Sequence, residues 1–219
     1  MLIIITGVSG SGKSEYAEHI CCQLSDGRKK YYIATMQPYG EEGKKRILRH
    51  HKLRRGKGFY TIEQYQHIDE AAGKIQYQHK TDKTVDGTQY HADNLEINND
   101  KPVVLLECMS NLLANECFEK GGNPDNIPDE CMRLYSVCEH LVIVTNEVFS
   151  DGCEYDDDTR DYIKRLGEFN IQLARKADVV VEVVYSIPVF HKGENILKKY
   201  TDSDCNVMDK RKEKEEEKK

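Results

Sequence analysis

Eight residues near the amino end carry the first pattern with chemical meaning. They match G-x-x-x-x-G-K-[ST], the pattern of a phosphate-binding loop. Glycines let a backbone fold closely around an anion, and successive N–H groups then point at its oxygens. In such loops the lysine reaches the β and γ phosphates and the last hydroxyl ligates Mg²⁺. The pattern predicts a nucleoside triphosphate site formed by Gly7, Val8, Ser9, Gly10, Ser11, Gly12, Lys13 and Ser14.

The segments on either side of this loop support the prediction. Residues 1–6 form an apolar, β-branched run, which is typical of a strand covered on both faces. Residues 14–24 repeat apolar side chains at helical spacing. A glycine-rich turn that matches by chance would lack this context of strand, loop and helix.

Polar side chains also follow later apolar runs. Glu107 ends the run 103–107, and Asn146 and Glu147 follow the run 142–145. Ligands bind at the carboxyl ends of strands in open α/β sheets, so we expect these groups near the phosphate loop. Glu107 could hold Mg²⁺ through water or accept a substrate hydroxyl. The simpler alternative is a carboxylate at a helix N-terminus with no ligand.

A second chemically suggestive pattern lies in the basic segment 46–63. His50 and His51 stand there among at least five cations. A histidine can attack a phosphorus atom while arginines and lysines neutralise the surrounding phosphates. The alternative is a solvated basic helix in which the histidines are incidental.

Further blocks complete a specific order along the chain. They are Ile3–Ser14, Tyr32–Thr35, Arg46-Ile-x-x-His50 with Arg54, Gly58–Glu63, Leu105–Cys108 with Asn111, Leu112 and Asn115, Val144–Val148, and Arg160-x-Tyr-x-x-x-Leu-Gly-x-x-Asn170 with Leu173-Ala174. With these blocks the chain resembles the bifunctional adenosylcobinamide kinase/adenosylcobinamide-phosphate guanylyltransferases of cobalamin biosynthesis. The resemblance spans residues 1–72 and 102–190. The loop alone is common to many families, whereas the His50 block combined with Thr-Asn-Glu-Val is far more specific.

The resemblance implies a two-step enzyme that uses ATP or GTP, Mg²⁺ and a corrinoid substrate. A nucleoside triphosphate first phosphorylates adenosylcobinamide, and a guanylylated histidine then passes GMP to the product. The Arg-Ile-x-x-His spacing assigns the histidine as His50, with His51 as the adjacent alternative. The other implied contacts are Ala34, Thr35 and Met36 to nucleotide, Lys52, Leu53, Arg54 and Arg55 to phosphates, and Glu63 and Glu107 to the guanine nucleotide or its metal.

The resemblance leaves several points open. It does not assign the corrinoid contacts, or the choice between ATP and GTP in the kinase step. The segment after Thr-Asn-Glu-Val lacks an expected proline, and residues 186–188 match the family only loosely. Family members assemble as ring-like homotrimers, so a homo-oligomer is implied. A diverged kinase without the guanylyl step and a nucleotide-binding regulatory module are the alternative functions.

Strands alternating with helices predict an α/β fold with a mainly parallel sheet flanked by helices. With the phosphate loop, this is the P-loop NTPase-like (RecA-like) class. We expect a single domain over residues 1–200, with an insertion at 73–101 and a charged, disordered tail at 201–219.

The net charge of −6 gives no sign of a basic surface that would bind nucleic acid. The apolar run at the amino end is too short to span a membrane and lacks a leader pattern, so we expect a cytoplasmic protein.

Overall fold

The computed structural model describes residues 1–81, 101–150 and 152–201. The side chains of Glu42, Lys44, Arg46, His51, Leu53 and residues 78–81 lie outside the described set. The strands are β1 (Leu2–Thr6), β2 (Lys30–Ala34), β3 (Phe59–Glu63), β4 (Val103–Glu107), β5 (His140–Val144), β6 (Val179–Val184) and β7 (Ile187–Lys192). The helices are α1 (Lys13–Ser25), α2 (Gly40–Arg54), α3 (Glu70–Thr81), α4 (Met109–Phe118), α5 (Ile127–Ser136), α6 (Asp157–Lys176) and α7 (Glu194–Thr201).

The seven strands form one sheet in the order β3-β2-β4-β5-β1-β6-β7. Every neighbouring pair is parallel except β6 with β7, which is antiparallel. One strand, β5, therefore separates the strand before the phosphate loop from β4, which carries Glu107. This order is the RecA-like form of the P-loop fold and confirms the predicted class.

The two faces of the sheet carry separate hydrophobic cores because successive side chains of a strand point to opposite faces. On one face, Ile3 and Ile5 of β1 pack with the apolar side of α1 and with Leu197 of α7. On the other face, Leu2 and Ile4 join the buried side chains of α3, α4, α5 and α6. Strands β4 and β5 are buried throughout, as their continuous apolar runs predict.

Two segments depart from the expected layout. Residues 70–81 form α3 with Ile75 buried, so the first part of the segment 73–101 is helical. The hairpin strand β7 and the helix α7 follow β6 and were not expected as separate elements. The rest of the insertion and the tail from residue 202 lie outside the described residues, so the domain limits stay a prediction.

Within the described part of the chain, no helix is both long and apolar enough to cross a bilayer.

Candidate nucleotide and guanylyl-transfer site

The phosphate loop joins the carboxyl end of β1 to the first residue of α1. Gly10 and Gly12 have φ values of 77° and 93°, in the left-handed region that favours glycine. A Cβ atom on Gly12 would lie 2.5 Å from the side-chain oxygen of Ser186. The N–H of Ser186 also donates to the carbonyl of Ser11 at 2.8 Å. The turn between β6 and β7 therefore packs directly against the loop and helps to fix its path.

Lys13 opens helix α1, and its side chain lies against the loop backbone. Its ammonium group donates to the carbonyl of Val8 at 3.1 Å, and the residue is only 8% exposed. Burial lowers the pKa of Lys13, while the neighbouring Cys108 and Glu107 act in the opposite direction. A cation held out of water beside the loop backbone is suited to bind phosphate oxygens.

Glu107 stands at the carboxyl end of β4 and faces the start of α1. One carboxylate oxygen accepts a hydrogen bond from the hydroxyl of Ser14. The other oxygen, Oε2, is buried and has no hydrogen-bond partner among the described residues. A hydroxyl and a carboxylate with an unused oxygen are the hard donors that Mg²⁺ prefers. Ser14 and Glu107 therefore fit the predicted metal position.

His50 reaches the same place from helix α2. Its Nδ1 atom lies 3.7 Å from the Oε1 atom of Glu107, and its side chain is 24% exposed. This nitrogen is buried and has no hydrogen-bond partner among the described residues. The fold thus brings together a loop lysine, a carboxylate and an imidazole from three separate segments. The ring of His51, the alternative nucleophile, lies outside the described side chains.

The cations that follow His50 have different environments. Arg54 is 7% exposed, and its guanidinium carbon lies 3.5 Å from the ring centroid of Tyr32. Its Nη1 atom is buried without a hydrogen-bond partner in the described structure. Lys52 and Arg55 are exposed, and the side chain of Leu53 lies outside the described residues. Arg54 is therefore anchored on the protein body, whereas Lys52 and Arg55 point toward solvent.

The expected nucleotide contacts after β2 lie at the same edge of the sheet. Ala34 is in register with Glu107 on one side and Glu63 on the other. The hydroxyl of Thr35 is buried; it accepts from the N–H of Cys108 at 2.7 Å and donates to its carbonyl at 2.9 Å. This side chain therefore ties β2 to β4, and its hydrogen bonds are already used.

Met36 and Glu63 occupy the outer part of this edge. Met36 is half-buried, while Glu63 is exposed and accepts a hydrogen bond from the hydroxyl of Tyr65 at 2.8 Å. Glu63 also lines a cavity of about 610 Å³ between β3 and α3. Its carboxylate belongs to this outer cavity rather than to the contacts that join Ser14, His50 and Glu107.

Two charged residues at the base of the site were not expected from the sequence. Glu18 of α1 is completely buried and pairs with Lys57, which follows α2. Glu18 lies beside the apolar stripe of α1, where a carboxylate must find a partner or stay protonated. The only sign of this pair in the sequence was a carboxylate beside an apolar stripe. The spacing of nearby residues could not identify Lys57 as its partner.

A phosphate loop on a RecA-like sheet, with an acidic side chain two strands away, defines a P-loop nucleotide-binding protein. Residues 3–85 and 78–190 match the family model described as cobinamide kinase / cobinamide phosphate guanyltransferase. The chain belongs to this family.

Two curated relatives support the same assignment. The bifunctional adenosylcobalamin biosynthesis protein CobU of Escherichia coli K12 is 32% identical over 206 residues, covering 86% of this chain and 98% of the relative. The protein of the same name from Salmonella typhimurium LT2 is 31% identical over 204 residues, with the same two coverages.

Comparison with solved structures gives more distant similarities. The flagellar accessory protein FlaH from Methanocaldococcus jannaschii is 14% identical, with a TM-score of 0.44, covering 87% of this chain and 77% of FlaH. The ATPase domain of G40P is 11% identical, also with a TM-score of 0.44, covering 83% of this chain and 68% of that domain. The fold assignment rests on the strand order and the loop, not on these two structures.

Proposed function

We propose that Lys13, Ser14, Glu107 and His50 form one centre that serves both activities of the family. As a member of this family, the chain is a bifunctional adenosylcobinamide kinase and adenosylcobinamide-phosphate guanylyltransferase. The observation that carries the proposal is the 3.7 Å approach of the His50 imidazole to Glu107, whose carboxylate also holds the Ser14 hydroxyl. The proposed nucleophile would thus act beside the phosphate loop without a separate domain.

In the kinase step the substrate hydroxyl would attack the γ-phosphorus of a nucleoside triphosphate. The new O–P bond forms as the bond to the β-phosphate oxygen breaks, and the hydroxyl proton is released. Lys13 would neutralise charge on the β and γ phosphates while the loop amides hold their oxygens. Bound at Ser14 and Glu107, Mg²⁺ would add positive charge to the phosphates.

In the guanylyl step the imidazole of His50 would attack the α-phosphorus of GTP. The N–P bond forms as pyrophosphate leaves, and the phosphate of adenosylcobinamide phosphate then displaces the histidine to give adenosylcobinamide-GDP. Because Nδ1 lies on the side of the ring that approaches Glu107, 3.7 Å from its Oε1 atom, we assign Nε2 as the attacking nitrogen. The carboxylate also stabilises the charge that the ring gains on guanylylation.

We also propose that the chain assembles with further copies of itself, as a homotrimer. The β6–β7 hairpin forms one edge of the sheet and exposes apolar side chains, with Tyr185 90% and Ile187 64% exposed. Exposed apolar surface on a sheet edge favours association. Sedimentation velocity on the full chain should give a trimer, and a monomer at micromolar concentration would exclude this assembly.

A cytoplasmic location stays a prediction.

The guanylyl intermediate can be tested by incubating the protein with Mg²⁺ and GTP labelled in the α-phosphate, and then denaturing it. We expect a protein-bound label that is labile in acid and stable in base. His50→Ala should abolish the label, and the matched variant His51→Ala should retain it. A label that persists in His50→Ala and disappears in His51→Ala would move the nucleophile by one residue. A wild-type protein without label would leave only a kinase or a binding module.

A further inference from the structure

Helix α2 carries His50, and few of its described side chains are buried. Of the α2 side chains that the structure describes, only Arg54 at the last position is buried. His50 itself is part-exposed, and the other described α2 side chains are exposed or intermediate. Among the described side chains, the buried contact of α2 therefore lies at its carboxyl end.

Those contacts converge on helix α1. Lys57, just beyond α2, donates to the Oε2 atom of Glu18 at 2.6 Å, and the N–H of Lys57 donates to the carbonyl of Arg54 at 3.0 Å. Arg54 packs on Tyr32 of β2. Glu18 lies five residues after Lys13 on the same helix. The buried carboxylate of Glu18 therefore links helix α1 to the segment that follows helix α2.

The charge arrangement favours a role beyond simple packing. Glu18 is 0% exposed, while Lys57 is 31% exposed. A fully buried carboxylate is costly, and exposed ion pairs stabilise proteins only weakly. The Oε1 atom of Glu18 is also buried without a hydrogen-bond partner among the described residues. An apolar residue would suit this position on α1 better if stability were the only requirement.

We propose that Glu18 is a positioning residue for guanylyl transfer, acting through Lys57 to hold α2 so that His50 faces the phosphate loop. This inference rests on the proposed role of His50. The kinase step needs the loop, Lys13 and Ser14 but not the histidine, so the two activities should respond differently to loss of the link. Glu18 touches neither nucleotide nor reacting atoms in this role.

The first test compares Glu18→Gln with the matched control Glu15→Gln, which changes an exposed carboxylate on the same helix. Guanylylation is measured in a single turnover with α-labelled GTP and Mg²⁺, and kinase activity with γ-labelled triphosphate and adenosylcobinamide. A small misplacement of a reacting group can slow a reaction by about 100-fold, and we expect a 10- to 100-fold slower guanylylation in Glu18→Gln. Its kinase rate and its half-saturating GTP concentration should stay within about threefold. Glu15→Gln should match wild type in both steps.

The second test asks whether Lys57 is the partner through which Glu18 acts. Lys57→Met should show the same selective loss, and Lys57→Arg, which keeps the charge, should restore guanylylation. Because both substitutions break one link, the double variant should be no slower than the slower single variant. Additive effects would contradict the link, as would Lys57→Met with normal guanylylation.

The outcomes separate this inference from the proposed function. If the wild-type protein is guanylylated at His50 and Glu18→Gln is guanylylated at the same rate, the positioning role alone is overturned. Equal loss of kinase and guanylyl activity in Glu18→Gln assigns the residue a purely structural role and also overturns it. Wild type that never labels removes the proposed function, and the inference falls with it.

Discussion

At the scale of single residues, the four side chains of the proposed centre have unusual surroundings. Lys13 is removed from water, Ser14 and Glu107 share a hydrogen bond, and the Nδ1 atom of His50 has no hydrogen-bond partner among the described residues. Unpaired polar atoms in a buried place are costly. Two of them, on His50 and on Glu107, lie at one site, which supports a polar ligand there.

Replacing Lys13 by alanine should abolish the kinase activity while leaving the fold intact. The substitution removes the cation that would neutralise the β and γ phosphates, and losing one such electrostatic contact slows catalysis by about 10² to 10³. Steady-state phosphorylation of adenosylcobinamide checks this, and the control is Lys120→Ala, which changes an exposed lysine just beyond α4.

An unchanged melting temperature in Lys13→Ala would show that the loss is chemical and not a failure to fold. Phosphorylation at the wild-type rate in this variant would mean that the triphosphate binds elsewhere than at Gly7–Ser14. Guanylylation should also fall in this variant, because GTP would use the same loop.

At the scale of elements, the loop depends on the hairpin turn that packs against it. Gly12 combines a φ of 93° with a neighbour that leaves no space for a side chain, since a Cβ atom would lie 3.2 Å from Cα of Ser186. Tyr185 and Ser186 in the turn also have positive φ values, 51° and 64°. The two turns support each other through the hydrogen bond between Ser186 and Ser11.

Gly12→Ala should therefore weaken both stability and nucleotide binding. An alanine at this position would have to adopt a left-handed backbone conformation and would contact Ser186. Together these should lower the unfolding free energy by on the order of 1 to 3 kcal/mol. Denaturant unfolding and GTP titration measure the two effects, with Gly27→Ala as the comparison. Gly27 is also left-handed, with φ of 81°, but an added Cβ there meets no atom within 4 Å. Equal nucleotide affinity in both variants would contradict the role of the Ser186 contact.

The sequence predicted the central elements better than the final ones. Runs such as 2–5, 103–106 and 141–144 are apolar throughout, and that pattern marks strands buried on both faces. The strand β7 escaped prediction because it contains Pro188, which is tolerated only at edges or bulges, and because its turn lacks the usual Asn-Gly or Asp-Gly signal.

The candidate site was predictable to the extent that it is local. The loop residues and Glu107 are marked by a motif and by a strand end, and His50 by a block of neighbouring residues. The pairing of Glu18 with Lys57 could not be predicted, because it joins residues 39 positions apart on different elements. The buried stacking of Arg54 on Tyr32 likewise depends on how α2 crosses the sheet.

At the scale of the whole molecule, the buried histidine of β5 makes stability depend on pH. His140 is 5% exposed, and its Nδ1 atom lies 3.1 Å from the amino group of Met1. Burial, with a smaller effect of that amino group, lowers the pKa of His140 to about 4. An unfolded histidine titrates near its ordinary pKa of about 6.5.

The direction of the pH effect follows from these two values. Between pH 6.5 and 4 the unfolded chain binds a proton at His140 and the folded chain does not, so acid favours unfolding. The contribution is complete above pH 6.5 and is lost as the pH falls toward 4. The loss amounts to about 3 kcal/mol of unfolding free energy at most.

His140→Gln should remove this dependence, because glutamine stays neutral throughout. Urea unfolding at several pH values between 7.5 and 4 should show a steeper fall in wild type than in the variant. His19→Gln, which changes an exposed histidine on α1, should follow the wild-type curve. Parallel curves for wild type and His140→Gln would mean that His140 takes up its proton in the folded chain as readily as in the unfolded one. In that case the acid sensitivity would have to arise from other groups, and His140 would not couple the start of β5 to pH.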